Sequence, residues 1–263
     1  MIDGGVIQNC VPGKIGSLAG GVSVYTGWGI VLLLVAAVLL VLFIISRKAK
    51  KGWLARPAIG PVLFGLGLSA MVGGALMLVY DYSMHTRTVS TNREQGITYP
   101  EIDETLSEAR QVLLQQIKYQ YDDPQAPVAY SDGVVEPWCA DFVSYVVLQT
   151  SLRGQIAAFS NPHSGSWRIP GVYTMREYFE SKGEFYTVDG DYSPRPGDVV
   201  FYDKGVFGTH VNFVVWSDAG EDEWRENDRI YTVGGNENGK IMLSAFLFRD
   251  RGYGVIGFGR IVE

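Results

Sequence analysis

Two long stretches without a charge constrain this chain before any other pattern is read. No charged residue occurs from Ile15 to Ser46, and Trp28 to Ile45 is almost wholly Val, Leu, Ile, Ala and Phe; Pro57 to Tyr80 is again uncharged. Each run is long enough to cross a hydrocarbon core of about 30 Å as a helix. A helix satisfies its own backbone groups there, where no water can. Between the runs, Arg47, Lys48, Lys50, Lys51 and Arg56 form the strong cationic cluster of the chain. Short cytoplasmic loops hold the Lys/Arg excess, so the pattern predicts a two-helix transmembrane hairpin, 25–46 and 59–80. The basic loop, 47–58, is then inside and both termini are outside. In the second span Gly65, Ser69 and Gly73 recur at four-residue steps, with Gly74 and Ala75 beside them. Such small-residue stripes admit a close helix neighbour, here the first span or a partner in a membrane complex.

Charge is split between the two parts of the chain. Residues 1–80 carry six Lys/Arg against one acid, and residues 81–263 carry sixteen against twenty-seven. An acidic second part argues against nucleic acid as a partner. The two cysteines, Cys10 and Cys139, fall in different regions, so there is no disulfide framework, and no Cys/His spacing suggests zinc. Residues 1–24 lack the basic start of a secretory signal and read as an extracytoplasmic tail in which Cys10 is incidental. Residues 81–97 read as a polar linker ahead of one domain, 98–263.

Within that domain, Pro100 to Tyr121 reads as an amphipathic helix, with Ile102, Leu106, Ala109, Leu113, Ile117 and Tyr121 at three- and four-residue steps. Asp122 to Val135 reads as a loop. Glu136 to Leu148 sets Cys139 at the start of a second helix, on one face with Phe142, Val143 and Val146. First-turn N–H groups and the helix dipole favour a thiolate and an oxyanion at such a place. The same helix equally fits a small buried core cysteine. Thr174 with Glu177 forms a capping box for a short helix. Strand signals follow at Asp198–Tyr202, Val211–Trp216, Ile230–Val233, Ile241–Phe248 and Val255–Val262. Helices first and strands afterwards predict an α+β domain with an antiparallel sheet. The acidic connector from Ser217 to Arg229 reads as a solvated loop.

His210 opens the second of these strands, with Asn212, Val214 and Trp216 on its face by alternation. If that strand pairs with the next as a hairpin, Asn236 returns to the same end. A Cys, a His and an Asn then converge.

These residues resemble the CHAP domains (cysteine, histidine-dependent amidohydrolase/peptidase), papain-like peptidoglycan hydrolases. The resemblance runs from about Thr98 to the C-terminus. It rests on Trp138-Cys139-Ala140 with Phe142-Val143-Ser144, on Pro194 to Asp198 before Val-Val-Phe-Tyr202, on His210-Val211, on Val233 to Asn236, and on Gly257 to Arg260. It implies a CHAP fold behind the membrane hairpin, with Cys139 as nucleophile and His210 as base and then acid. Asn236, or in another register Asn238, would orient the imidazole, and the N–H groups of Cys139 and Ala140 would hold the oxyanion. Many members carry Glu where this chain has Gly234, which weakens the case for high activity. His163 is the fallback base, His85 is assigned no role, and Trp138, Trp167 and Trp216 are cleft candidates. Some members bind calcium just before the catalytic helix. Asp132, Glu136 and Asp141 fall in that neighbourhood but match the spacing only in part, so no metal or cofactor is assigned. The function implied is a bacterial, membrane-tethered amidase or endopeptidase of peptidoglycan, suited to local wall remodelling or to a secretion or transfer apparatus. The alternative is an inactive CHAP-like domain serving as a scaffold in a membrane complex.

Overall fold

The computed structural model describes residues 24–48, 51, 57–203, 205, 208–217, 228–247 and 254–261. The expectations for the tail with Cys10, for Lys50 and Arg56, and for most of the acidic connector lie outside them. The chain divides into two compact units, Met1–His85 and Thr86–Glu263.

In the first unit, helices α1 (Val24–Lys48) and α2 (Ile59–His85) are both long and apolar enough to cross a membrane. They pack antiparallel: Tyr25 meets Tyr80, Thr26 Oγ1 donates to Asp81 Oδ2 at 2.7 Å, and Phe43 meets Phe64 at the other end. The seam on α2 runs through Gly60, Leu63, Gly67 and Gly74. A Cβ on Gly74 would lie 2.8 Å from Gly29 O, so the backbones touch only because both residues are glycine. Gly65 faces open space, and Gly73 comes no nearer than Leu32. The expected stripe at Gly65, Ser69 and Gly73 is therefore not what joins the two helices. Steps of seven keep two long helices in register, whereas steps of four drift off the seam. Helix α2 also continues past Tyr80 to His85, which shortens the expected linker.

The second unit is α+β. Helices α3 (Glu108–Asp122), α4 (Pro127–Tyr130), α5 (Cys139–Ser151) and α6 (Val172–Ser181) accompany one seven-stranded sheet. Its strands are β1 (Ser90–Asn92), β2 (Phe185–Thr187), β3 (Val199–Asp203), β4 (Thr209–Ser217), β5 (Arg229–Glu237), β6 (Lys240–Leu247) and β7 (Val255–Gly259), in spatial order β1-β6-β5-β4-β3-β7-β2. Every pairing is antiparallel except β1 with β6. That parallel edge departs from expectation, because a three-residue strand in a polar segment gives no periodic signal.

Helix α3 starts at Glu108 and not at Pro100. Asp103 Oδ1 binds the N and Oγ1 of Thr105, and Ser107 Oγ caps Arg110 N, so local side-chain bonds hold the backbone out of helix until Ser107. The expected loop before α5 contains α4, started by Pro127 at its first position. Helix α6 begins two residues before Thr174 with Gly171 as its cap; Glu177 pairs with His163 and caps nothing.

Both sheet faces are buried, which explains why β3 and β4 read as apolar runs. Phe201 and Phe213 meet Phe179 of α6 and Phe142 of α5. By alternation, Val200, Tyr202, Val214, Ile230, Phe246 and Phe258 form the opposite core. Asp198, at the turn into β3, is fully buried: it pairs with Arg110 of α3 at 3.1 Å, while Arg110 also donates to the carbonyls of Pro196 and Ile261.

Candidate active site

Close packing of α5 against β5 sets the position of Cys139. Trp138, the residue before the helix, is fully buried and stacks on Tyr130 with ring centroids 5.2 Å apart. It packs against Gly235 of β5, where a Cβ would come to 2.5 Å from Trp138 Cζ3 and 2.7 Å from Phe142 Cβ. Only glycine lets the first turn of α5 press this close. Because α5 starts at Cys139, the N–H groups of Cys139 and Ala140 are first-turn donors without intrahelical partners.

At the head of β4, His210 interacts with two side chains, Cys139 and Glu237. Glu237 Oε1 lies 3.7 Å from His210 Nε2, an ion-pair distance, and that nitrogen makes no hydrogen bond among the described residues. With Nε2 turned toward Glu237, Nδ1 is the nitrogen left for the thiol. Burial works against the imidazolium, but Cys139 and Glu237 outweigh it and hold His210 up at about 9. Burial likewise opposes the Glu237 carboxylate, but His210, Arg93 and Asn212 outweigh it and keep the group below the ordinary glutamate value.

Glu237 is itself held from two sides. Asn212 Nδ2 donates to its Oε1 at 2.9 Å, and Arg93 Nη2 pairs with its Oε2. Asn212 also donates to Thr232 Oγ1 at 3.3 Å. Gly234 makes room for this amide: a Cβ there would fall well inside contact distance of Asn212 Oδ1. The residue whose lack of a carboxylate counted against activity is thus the one that admits the side chain steadying Glu237.

The structure places Glu237, and not Asn236, beside His210. A straight ladder continuing Phe213↔Val233 would set residue 236 opposite His210. Instead the β5–β6 register shifts between Gly234 and Glu237, and Asn236 takes a left-handed φ of 60°. The bulge adds one residue, and Glu237 arrives in its place. Asn236 stays half-buried with no hydrogen bond to His210, and Asn238 (φ 54°) forms the tight β5–β6 turn with Gly239 (φ 74°). An Asn-Gly pair between two strands was a sequence signal for that turn and for its register. Arg93 gave no signal, since it lies in a stretch that reads as linker.

The other candidates sit elsewhere. His163 is exposed and paired with Glu177 at 2.8 Å. Trp138 is core and lines no cleft. Trp216 packs edge-on with Tyr231, six residues along β4 from His210, about 20 Å at strand rise. Trp167 is half-buried beside Arg168. The three carboxylates near the helix start do not fit a calcium ion, because Arg168 is already among them. Its Nε donates to Asp141 Oδ1 at 2.7 Å, its Nη2 pairs with Glu136, and Asp132 lies within electrostatic reach. A calcium site needs six or more oxygens, which these residues would have to supply with a guanidinium in their midst.

Residues 130–236 match the family model of the CHAP domain, a family that is generally hydrolytic and comprises amidases and peptidases linked to peptidoglycan. No curated protein and no solved structure matches the chain. Glu237 and Arg93 both lie outside the matched residues.

Proposed function

The chain carries a CHAP domain, and from that premise we propose a membrane-tethered thiol hydrolase that cleaves amide bonds of peptidoglycan peptides. The observation that carries the reading is the buried chain of contacts from Cys139 through His210 to Glu237. His210 takes the thiol proton, and the sulfur attacks an amide carbonyl. The developing oxyanion is met by first-turn N–H groups at Cys139 and Ala140. His210 then protonates the leaving amine, and water, activated by the same imidazole, hydrolyses the thioester. Glu237 is the charge partner of the imidazolium and fixes the ring, a role in which a neutral Asn236 would give no ionic stabilisation. The scaffold alternative rests on Gly234 and on the small-residue stripe of the second span; Glu237 beside His210 answers the first, and the stripe, compatible with either reading, keeps an open face.

The test is mass spectrometry of muropeptides released from purified sacculi by wild type, Cys139→Ala and His210→Ala. Fragments from wild type alone support the reading and their masses name the bond. Equal traces from all three sink it.

The two apolar helices support membrane association. With the basic connector inside, the CHAP domain faces the wall, and the tether confines cutting to wall near the membrane. Degradation in cells should spread when residues 1–85 are replaced by a cleaved secretion signal; unchanged degradation counts against confinement. The α2 face at Gly65, which the hairpin leaves open, is where a membrane-complex partner would fit.

A further inference from the structure

The segment between the second apolar helix and α3 has no periodic pattern, yet from Thr88 to Arg93 its backbone is held on both sides. Thr88 N donates to Gln125 O at 3.1 Å and Thr88 Oγ1 to Gly239 O at 2.7 Å. Ile241 N donates to Val89 O at 3.1 Å, the strand pairs Ser90 with Ile241 and Asn92 with Leu243, and Arg93 N donates to Leu243 O at 2.8 Å. Asn92 Nδ2 closes the turn onto Ile97 O at 2.5 Å. Arg93 therefore leaves a pinned backbone beside β6, the hairpin partner of the strand that ends in Glu237.

From there its guanidinium reaches the one oxygen of Glu237 that Asn212 does not hold. The Glu237 side chain is 5% exposed and that of Arg93 34%, so the pair runs from the buried site outward. Oε1 takes Asn212 and faces His210, and Oε2 takes Arg93. Without the second contact, a buried carboxylate keeps one oxygen unpaired at the edge of water, and rotating outward satisfies it at the expense of the His210 contact.

We propose, resting on the thiol-hydrolase reading above, that Arg93 is a positioning residue of the active site, fixing Glu237 against His210. The strand following the second apolar helix is then a working part of the catalytic centre. Only Thr86, Arg87, Thr88 and Val89 separate that helix from β1, so the chain that anchors the protein also completes its site. A domain cut to the residues of the family match would lack the clamp.

The groups facing His210 are Cys139 of α5, Glu237 of β5 and the Tyr202 ring of β3, 6.1 Å away; those facing Glu237 are His210, Asn212 and Arg93. The experiment follows alkylation of Cys139 by iodoacetamide against pH in the full chain in detergent, read by peptide mass spectrometry so that Cys10 is counted separately. Wild type, Arg93→Met and Arg93→Lys are compared. A thiol paired with an imidazolium reacts with this uncharged reagent from an acid edge set by formation of the ion pair, and loss of the ring proton at higher pH leaves a thiolate that still reacts. In Arg93→Met the acid edge moves up, with the rate just below it down about tenfold for each unit the edge moves. Arg93→Lys, which can still place one cation on Oε2, brings the edge back. An Arg93→Met profile that superimposes on wild type after scaling overturns the proposal, because a merely structural loss lowers amplitude and leaves the edge. A wild-type profile whose edge lies at that of a free thiol instead sinks the thiol-hydrolase reading, a separate failure visible without any variant.

Discussion

Replacing Glu237 by Gln keeps the shape of the side chain and removes its charge, which isolates what the carboxylate does for His210. In the wild type, His210 is raised from 6.5 to about 9 against the pull of burial. That rise corresponds to about 3 kcal/mol at about 1.36 kcal/mol per unit. With Glu237 neutral, Cys139 still raises the imidazole but one of the two groups that outweigh burial is lost, so the ring titrates below its wild-type value. For each unit that the value falls below pH 8 the imidazolium fraction there drops up to about tenfold, whereas near pH 6, further below the wild-type value, the loss is smaller. Initial rates of muropeptide release by wild type and Glu237→Gln at the two pH values are the assay. A defect of equal size at both, or none at either, would refute the assignment. The same shift makes a stability statement. Because the folded pKa is raised, the contribution is complete below 6.5 and is lost as pH climbs through about 9. The thermal midpoint of wild type should therefore drop more than that of Glu237→Gln between pH 6 and pH 10.

Asn236→Ala should change hydrolysis less than about threefold, since Asn236 makes no bond to His210; a loss as deep as that of Glu237→Ala would return the third role to Asn236. Arg110→Met leaves Asp198 buried without its cation and should cost about 3–5 kcal/mol in urea unfolding, with the midpoint recovered in part by a second change, Asp198→Asn. Chelation should leave both activity and thermal midpoint of wild type unchanged, because Arg168 supplies the positive charge among Asp132, Glu136 and Asp141. A midpoint that falls with chelator and returns with calcium would show that reading to be wrong.

The pattern of each element was legible where burial imposes a period. The five longer strands and the Cys139 helix lie within a few residues of where their apolar runs put them. The misread elements are those whose backbone is satisfied by local polar side chains or by a distant edge: Pro100 to Ser107, held out of helix by Asp103 and Ser107, and Ser90–Asn92, held by β6. The helix seam of the hairpin was misread for a different reason. Small residues recur on more than one face of α2, and only the neighbour's position selects Gly60, Gly67 and Gly74.

By itself the sequence determined the two apolar spans, the acidic domain behind them, the helix start at Cys139 and the strand start at His210. Each is a local property, set by composition, by period, or by which residue type stands at an element's end. Tertiary structure alone decided what stands behind His210. A single left-handed residue, Asn236, adds one position to β5, and alternation then delivers Glu237 where a regular strand would deliver Asn236. Arg93 reaches that carboxylate across a parallel pairing with β6, between segments about 150 residues apart. No periodicity marks such a contact, because its energy comes from closing the sheet edge and pairing a buried charge, and both exist only once the chain has folded.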